Sequence, residues 1–436
     1  MPLPSEQLLA PLEMFGVRLG LDRIRELLGA FGDPHLATPV VLVAGTNGKG
    51  STAAFLAAMC AAAGYRTGLY TSPHLEEVTE RIALGGMPIA DPVLADYLEA
   101  ILETGRRTHA PPTYFEALTA AAFLYFRDAG ADLAVMEVGL GGRLDATNVC
   151  EPVLSLICSI ALDHERHLGT TVAAIAREKG GILRRGRPAI AWAEGEAAEA
   201  LEEQAAALGC DLVTAPRQVR IGGGARQVTL RTPRRGYRLT PSLAGAHQRR
   251  NLAVAVLAAE TLAAHGFPRL DTAAVTAGCR SCRWPGRLET VALADGRRVL
   301  LDAAHNPDGI EALCDFVRGT ANQAAEVPDL LFGAMRDKDV GAMLPPIAAL
   351  CRRVVLTRPR ASCAEGLPGA GPRGGDPGAW TPLLEDRAVE VEPDPAEALA
   401  RALEGSSALL VVCGSIYLVG EVRSLLRDRY GAFSSR

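Results

Sequence analysis

The chain alternates short apolar runs with longer segments of helical spacing. Val40 to Ala44, Thr67 to Tyr70, Asp132 to Val138, Val153 to Ile160 and Pro188 to Trp192 are apolar runs that predict buried strands. Between them, Ala53 to Ala63, Asp91 to Glu103, Thr113 to Arg127 and Val172 to Ile182 predict helices, and residues 6 to 29 predict an opening helix and turn. The order β-α-β implies a parallel sheet with right-handed crossovers. Residues 76 to 90 read as polar and turn-rich. From Cys210 to Leu243 the period changes to two, as in Gln218-Val219-Arg220-Ile221 and Gln227-Val228-Thr229-Leu230-Arg231, which predicts a small antiparallel sheet attached to the first domain. Leu243 to His265 returns to helix. Cys282 to Arg287 contains helix breakers and predicts a linker. Strands then recur at Val299 to Asp302, Leu330 to Gly333, Val354 to Thr357 and Ala408 to Val412, with a Gly- and Pro-rich surface loop at 364 to 379. The predicted fold class is α/β. A P-loop-type nucleotide-binding domain with a small antiparallel sheet spans 1–284, and a smaller Rossmann-like domain spans 285–436.

Composition excludes several function classes. With 436 residues, 48% hydrophobic residues and a net charge of −5, the chain has room for two cores and carries no basic patch pointing to nucleic acid. No apolar run is long enough to predict a membrane span, and no secretory leader is evident at the N-terminus. Ten cysteines are scattered singly, apart from Cys279 and Cys282. One such pair is too few ligands for zinc, so buried free thiols in a reducing cytoplasm are expected. Nothing resembles a dimerisation segment, and a monomer is expected.

Candidate chemistry collects at predicted strand ends. Val40 to Ala44 runs into Gly45-Thr46-Asn47-Gly48-Lys49-Gly50-Ser51-Thr52 and then into a helix. A strand, a glycine-rich turn and a helix N-terminus make a phosphate cradle, because the first N–H groups of a helix lack partners within it. Lys49 supplies a cation, and Ser51 or Thr52 a hydroxyl for Mg²⁺. Gly50 sits between Lys49 and Ser51, so the spacing departs from the common P-loop pattern. Ser72 and His74 follow the second strand and face the same crevice. Glu137 ends the next strand, where a carboxylate beside a phosphate loop serves as a metal ligand. His164 follows the strand after that. Thr113 and Glu116 have capping-box spacing, which is a structural reason for both. Lys179, a lone lysine on a helix, reads locally as solvated.

Taken in order, the motifs AGTNGKGST (44–52), GLYTSPHL (68–75), MEVGLGGRLDATN (136–148), SIALDHERHLG (159–169), REKGGIL (177–183), RWPGRLE (283–289), LDAAHNP (301–307), FGAMRDKD (332–339) and CGSIYLVGEVR (413–423) resemble the folylpolyglutamate synthase/dihydrofolate synthase family of Mur-ligase-type amide-forming enzymes. The resemblance implies an ATP- and Mg²⁺-dependent ligase. A folate-type carboxylate becomes an acyl phosphate, and the amine of L-glutamate then displaces phosphate. By resemblance, Asn47, Gly48, Lys49, Gly50, Ser51, Asn251, Arg287 and Asp302 hold ATP. Ser51, Ser72 and Glu137 belong to one Mg²⁺ site and His164 to a second. Lys179 matches a lysine that is carbamylated to become an anionic ligand, and His305 joins Lys49, His164, Lys179 and Asp302 as a catalytic candidate. The acceptor, dihydropteroate or a reduced folate, is expected against Leu21, Asp22, Arg23, His74, Arg81, Thr113, Tyr114, Phe115, Glu116, Leu144, Asp145 and Ala146, with Tyr114 and Phe115 available to stack on its flat ring. The site is expected to be complete only when the two domains close.

Thr79, Ala303 and Gly180 depart from the family's usual Asn, Gly and Ala. Two other classes remain at this stage. One is a cell-wall Mur ligase acting on a nucleotide-linked sugar. The other is a nucleotide-dependent regulatory protein without ligase activity.

Overall fold

The computed structural model describes residues 4–15, 18–224, 226–324, 327–360, 373–384, 387–405, 407–431 and 433–434. They form two compact units, Met1–Ser242 with His247–Arg283, and Leu243–Ala246 with Trp284–Arg436.

The first unit is built on eight strands: β1 (Val40–Ala44), β2 (Thr67–Tyr70), β3 (Ile82–Leu84), β4 (Met87–Pro88), β5 (Leu133–Glu137), β6 (Leu154–Ile157), β7 (Pro188–Ala191) and β8 (Asp211–Thr214). Their order across the sheet is β4-β3-β2-β5-β1-β6-β7-β8. Six are parallel; β3 and β4 turn back antiparallel at one edge. β1 lies between β5 and β6, with Val43 opposite Glu137 and Ala44 opposite Ile157. The chain leaves β1 toward one edge and later crosses to the other, so the crevice at the carboxyl end of β1 is a switch point.

Because β1 is covered on both faces, all five of its residues are buried. Val40, Leu42 and Ala44 share a core with the helices Asp91–Arg107, Tyr114–Asp128 and Gly195–Leu208. The helix Lys49–Ala62 packs closely on Thr272–Ser281, where a Cβ on Gly278 would come within 2.4 Å of the Met59 backbone.

A separate three-stranded sheet of β9 (Arg220–Gly223), β10 (Val228–Arg231) and β11 (Gly236–Leu239) is antiparallel. The segment predicted for this sheet, Cys210 to Leu243, instead begins with β8, a parallel edge strand of the main sheet, followed by the short helix Ala215–Gln218. The segment 76 to 90, read as turn-rich, holds the 3₁₀ turn Val78–Arg81 as well as β3 and β4.

The second unit holds β12 (Glu289–Ala292), β13 (Arg298–Leu301), β14 (Asp329–Phe332), β15 (Val354–Leu356), β16 (Val389–Val391), β17 (Leu409–Cys413) and β18 (Phe433–Ser434), ordered β16-β15-β14-β17-β13-β12-β18. β12 and β18 are antiparallel additions that the apolar pattern does not reveal. Part of the expected loop at 364 to 379 lies outside the described residues. Its end, Pro377–Leu384, is a 3₁₀ helix that buries Trp380.

Among the described residues no helix is long and apolar enough to cross a membrane.

Candidate active site

The phosphate loop is held by backbone geometry that only glycine satisfies. Gly45 (φ +152°) and Gly48 (φ +83°) lie in the left-handed region. A Cβ on Gly45 would meet Cys158 Cβ at 2.8 Å, and one on Gly48 would meet Asn251 Oδ1 at 2.2 Å. The segment after β6 clamps the loop: the Thr46 N–H donates to Ser159 O at 2.7 Å, and the Ser159 hydroxyl donates to Asn47 O at 3.1 Å. Gly48 is the N-cap of Lys49–Ala62, and no side chain caps that end. The first-turn N–H groups therefore present an anion-binding face.

Two ammonium groups converge on this loop. Lys49 Nζ donates to Gly45 O and Thr46 O, both at 3.1 Å, and Lys179 Nζ donates to the same Gly45 O at 2.9 Å. Lys179 is only 4% exposed, which corrects its local reading as a solvated lysine. Burial pushes its pKa down, reinforced by the charge on Lys49, to about 7. Its seat is built from paired glycines: a Cβ on Gly142 would meet Lys179 O at 2.8 Å, and one on Gly181 would meet Arg143 Cβ at 2.3 Å. Arg143 and Glu178 tie the same two segments by an ion pair of 2.9 Å. The structure also accounts for Gly180, where a Cβ would press on Gln204 Oε1 at 2.1 Å.

Glu137 is buried at the end of β5, and its Oε2 accepts the Ser72 N–H at 3.2 Å. Ser51 is buried in the first turn of its helix, and its Oγ accepts from Gln248 Nε2 at 3.1 Å. His164 is placed differently. It has φ +50°, its side chain is 41% exposed, and its Nε2 lies 3.9 Å from Asp163 Oδ1. Among the described residues, no cluster of three or more His, Cys, Asp or Glu is placed to hold a metal on protein ligands alone. One buried carboxylate with serine hydroxyls is nonetheless a hard-oxygen donor set. Mg²⁺ is commonly held by one or two such groups, with phosphate and water completing the shell.

The acceptor candidates form two connected clusters. Arg81 Nε donates to His74 Nδ1 at 3.0 Å, and the Arg81 guanidinium lies over the Tyr114 ring, 5.3 Å from its centroid. Burial first, then Arg81, pushes the His74 pKa down to about 3, so its ring is neutral and its proton sits on Nε2. Thr113 and Glu116 make both bonds of the expected capping box, and Arg23 Nη2 lies 3.1 Å from Glu116 Oε1. Phe115 packs against Tyr70 and over Gly139, whose Cβ would meet the ring at 2.6 Å. One face of Tyr114 and much of Phe115 are thus already covered by protein, which limits the stacking expected of them. Leu144 O accepts the Gly20 N–H at 3.4 Å, which brings the start of the Leu21 segment to Leu144, and Ala146 is buried. Asp145 uses both carboxylate oxygens locally, on the N–H groups of Leu140 and Thr147 and the Thr147 hydroxyl. Asp22 is exposed on its helix, 3.9 Å from Arg25.

Residues 43–259 match the Mur ligase middle domain, and residues 286–416 match the Mur ligase glutamate ligase domain. The dihydrofolate synthase/folylpolyglutamate synthase of Bacillus subtilis is 34% identical over 430 residues, which cover 95% of this chain and 96% of the relative. The chain belongs to the folylpolyglutamate synthase/dihydrofolate synthase family. The structure of E. coli FolC with DHPP and ADP superposes with a TM-score of 0.86 at 29% identity, covering 98% of this chain and all 100% of that one. The Yersinia pestis folylpolyglutamate synthase/dihydrofolate synthase, complexed with AMPPNP and a Mn ion, has a TM-score of 0.82 at 28% identity, covering 98% and 100%.

Within this synthase chain, the second-unit candidates also have local duties. Asp302 is buried; its Oδ2 accepts the Leu288 N–H at 2.9 Å and its Oδ1 the Ala304 N–H at 3.0 Å. Leu288 is held at φ +49°, a strained value for leucine. His305 Nδ1 lies 2.9 Å from Ala303 O, and Arg287 is half-buried beside Gly286. Gln248, for which the sequence points to no role, is 1% exposed and bonded to both Ser51 and Asn251. Its only sequence signal is an amide three residues before Asn251.

Proposed function

We propose that this chain joins L-glutamate to the carboxylate of dihydropteroate, of a reduced folate, or of both, using ATP and Mg²⁺. The observation that carries the reading is the convergence of Lys49 and Lys179 on one loop carbonyl, beside an uncapped helix start, in a chain of this family. The loop N–H groups and Lys49 receive the phosphates, and Asn251 borders the loop at Gly48. The acceptor carboxylate attacks the γ-phosphorus and ADP leaves. The glutamate amine then attacks the acyl carbon, giving an amide and phosphate, with one proton lost from nitrogen. Positioning and neutralisation of phosphate charge supply most of the rate. Bound Mg²⁺ supplies part of that neutralisation; Ser51, Ser72 and Glu137 are assigned to hold one ion, and His164 to help hold a second. Arg287, Asp302 and His305 are assigned to the reaction on the family resemblance alone.

Lys179 is assigned as a carbamate. CO₂ adds to the neutral amine, forming an N–C bond and releasing one proton, and the product is an anionic oxygen ligand. The nearly complete burial of Lys179, with its ammonium on the same carbonyl as Lys49, supports this, since a carbamate replaces two crowded cations by an opposite-charge pair. A pKa near 7 leaves much of the amine neutral at physiological pH. A ¹³C carbamate resonance after addition of ¹³C-bicarbonate, absent from Lys179→Met, tests it. No resonance in wild-type protein overturns it.

For the acceptor, His74 offers an Nε2–H donor from a ring whose tautomer Arg81 fixes. Purified protein is given ATP, Mg²⁺, L-glutamate and either dihydropteroate or a reduced folate, and products are read by mass spectrometry. A glutamylated product from either acceptor supports the proposal; phosphate release without such product from both contradicts it.

A further inference from the structure

Two buried amides stand behind the phosphate loop: Asn251, already assigned to ATP, and Gln248, which has no role in the scheme above. Gln248, in the first turn of the helix Ala246–Ala264, is 1% exposed, and Asn251, one turn on, is 8% exposed. Asn251 Nδ2 donates to Gln248 Oε1 at 2.9 Å, and Gln248 Nε2 donates to Ser51 Oγ at 3.1 Å. We infer that Gln248 is a positioning residue for the cation site, fixing the Ser51 hydroxyl so that an oxygen lone pair stays free toward a divalent ion.

A buried primary amide is unfavourable unless its groups are bonded, and packing two helices does not require one. This helix is otherwise rich in buried Ala, Val and Leu, from Leu252 to Leu262, so apolar packing was available. The Gln248 amide is instead placed where it meets Ser51, one of the two serine hydroxyls assigned to the ion.

A serine hydroxyl has one O–H and two lone pairs and rotates freely when unbonded. An N–H from Gln248 occupies one lone pair and stops that rotation. The other lone pair and the O–H are left for the loop side. Asn251 fixes which end of the Gln248 amide faces Ser51, because its Nδ2 is a donor and needs Oε1. Asn251 is itself pressed against the loop, since a Cβ on Gly48 would sit 2.2 Å from its Oδ1. The order Gly48, Asn251, Gln248, Ser51 thus forms a closed set of contacts between loop and cation ligand. Partners of this kind, behind a metal ligand, change metal affinity by about 10- to 100-fold when removed.

The inference rests on the ligase reading in one respect, that a divalent cation meets Ser51. Full-length wild type, Gln248→Met, Ser51→Ala and the double variant are compared for ADP binding with and without Mn²⁺ by calorimetry, and for Mn²⁺ binding by electron paramagnetic resonance. Gln248→Met is expected to weaken Mn²⁺ affinity by about 10-fold while leaving metal-free ADP affinity within about 2-fold. The double variant is expected to be no weaker than Ser51→Ala, because the two losses are one. Equal losses with and without metal, or additive losses, overturn the inference. A Gln248→Met chain that fails to fold while Ser51→Ala folds also overturns it, since Gln248 would then act without Ser51. If wild type binds ADP and Mn²⁺ but Gln248→Met matches it, only this inference fails; if wild type binds neither, the ligase reading fails too.

Discussion

Replacing Lys179 by Met should make the unmodified protein more stable while abolishing ligation. The Lys179 pKa falls from 10.5 to about 7, chiefly through burial and secondarily through Lys49. The folded state then binds fewer protons than the unfolded state between those values, so the stability that Lys179 costs is largest at and below pH 7 and vanishes above the unfolded value. At ~1.4 kcal/mol per pKa unit, the penalty is about 4 kcal/mol at pH 7 and under about 1 kcal/mol at pH 10. Methionine keeps the chain length and loses one hydrogen bond to Gly45 O, worth about 1–2 kcal/mol. A net gain of about 2–3 kcal/mol remains near neutrality, or roughly 5 °C in melting temperature. The assay is a thermal melt of both proteins in bicarbonate-free buffer from pH 7 to pH 10. Lys179→Met should melt higher at pH 7, and the gap should close by pH 10. Bicarbonate should raise the wild-type value alone, because it converts the buried cation into an anion beside Lys49. A Lys179→Met protein that melts lower at every pH would refute the electrostatic reasoning.

Other substitutions probe separate parts of the account. Gly48→Ala forces a Cβ to within 2.2 Å of Asn251 Oδ1 at φ +83°, and should weaken ADP binding by about 100-fold if about 3 kcal/mol of strain falls on the loop; unchanged calorimetry would show that the loop can shift. His74 carries a folded-state pKa of about 3 against 6.5 when unfolded, so its stability contribution is complete above pH 6.5 and is lost as pH falls toward 3; His74→Gln should lose less stability than wild type between pH 6.5 and pH 4.5, read by urea midpoints. Arg23→Ala strips the ion-pair partner from Glu116, which is 2% exposed, and should cost about 1–3 kcal/mol in the same urea assay; Arg23→Ala with Glu116→Gln should recover part of it. Asp302→Ala removes the acceptor that holds Leu288 at φ +49° and should destabilise the second unit by about 1–3 kcal/mol, visible as lost hydrogen-exchange protection at residues 286–304.

The phosphate loop is legible in the sequence because phosphate binding constrains contiguous residues: a buried strand, turns that need glycine, and a helix start. The capping box at Thr113 and Glu116 is legible for the same local reason. Lys179 is not, since nothing in its helix says that it is buried; its ammonium partner, Gly45 O, lies 134 residues away, and the close packing of Gly142 on the Lys179 backbone is set by the fold. Gln248 is invisible for a sharper reason: its partner Ser51 lies 197 residues away. β3, β4 and β12 are not legible because each is short and lies toward a sheet edge, where alternation is too brief to separate strand from turn. Tyr114 shows a different limit. An aromatic in a predicted site suggests stacking on substrate, yet one of its faces holds Arg81, a pairing that local sequence does not reveal.

The most direct test follows oxygen. The acceptor is prepared with ¹⁸O in the carboxylate that is to be glutamylated, and given to the enzyme with ATP, Mg²⁺ and L-glutamate. Activation through an acyl phosphate breaks the bond between that oxygen and the acyl carbon, so each amide formed should release one phosphate carrying one ¹⁸O. Amide product with unlabelled phosphate would contradict the account, as would labelled acceptor recovered intact beside hydrolysed ATP.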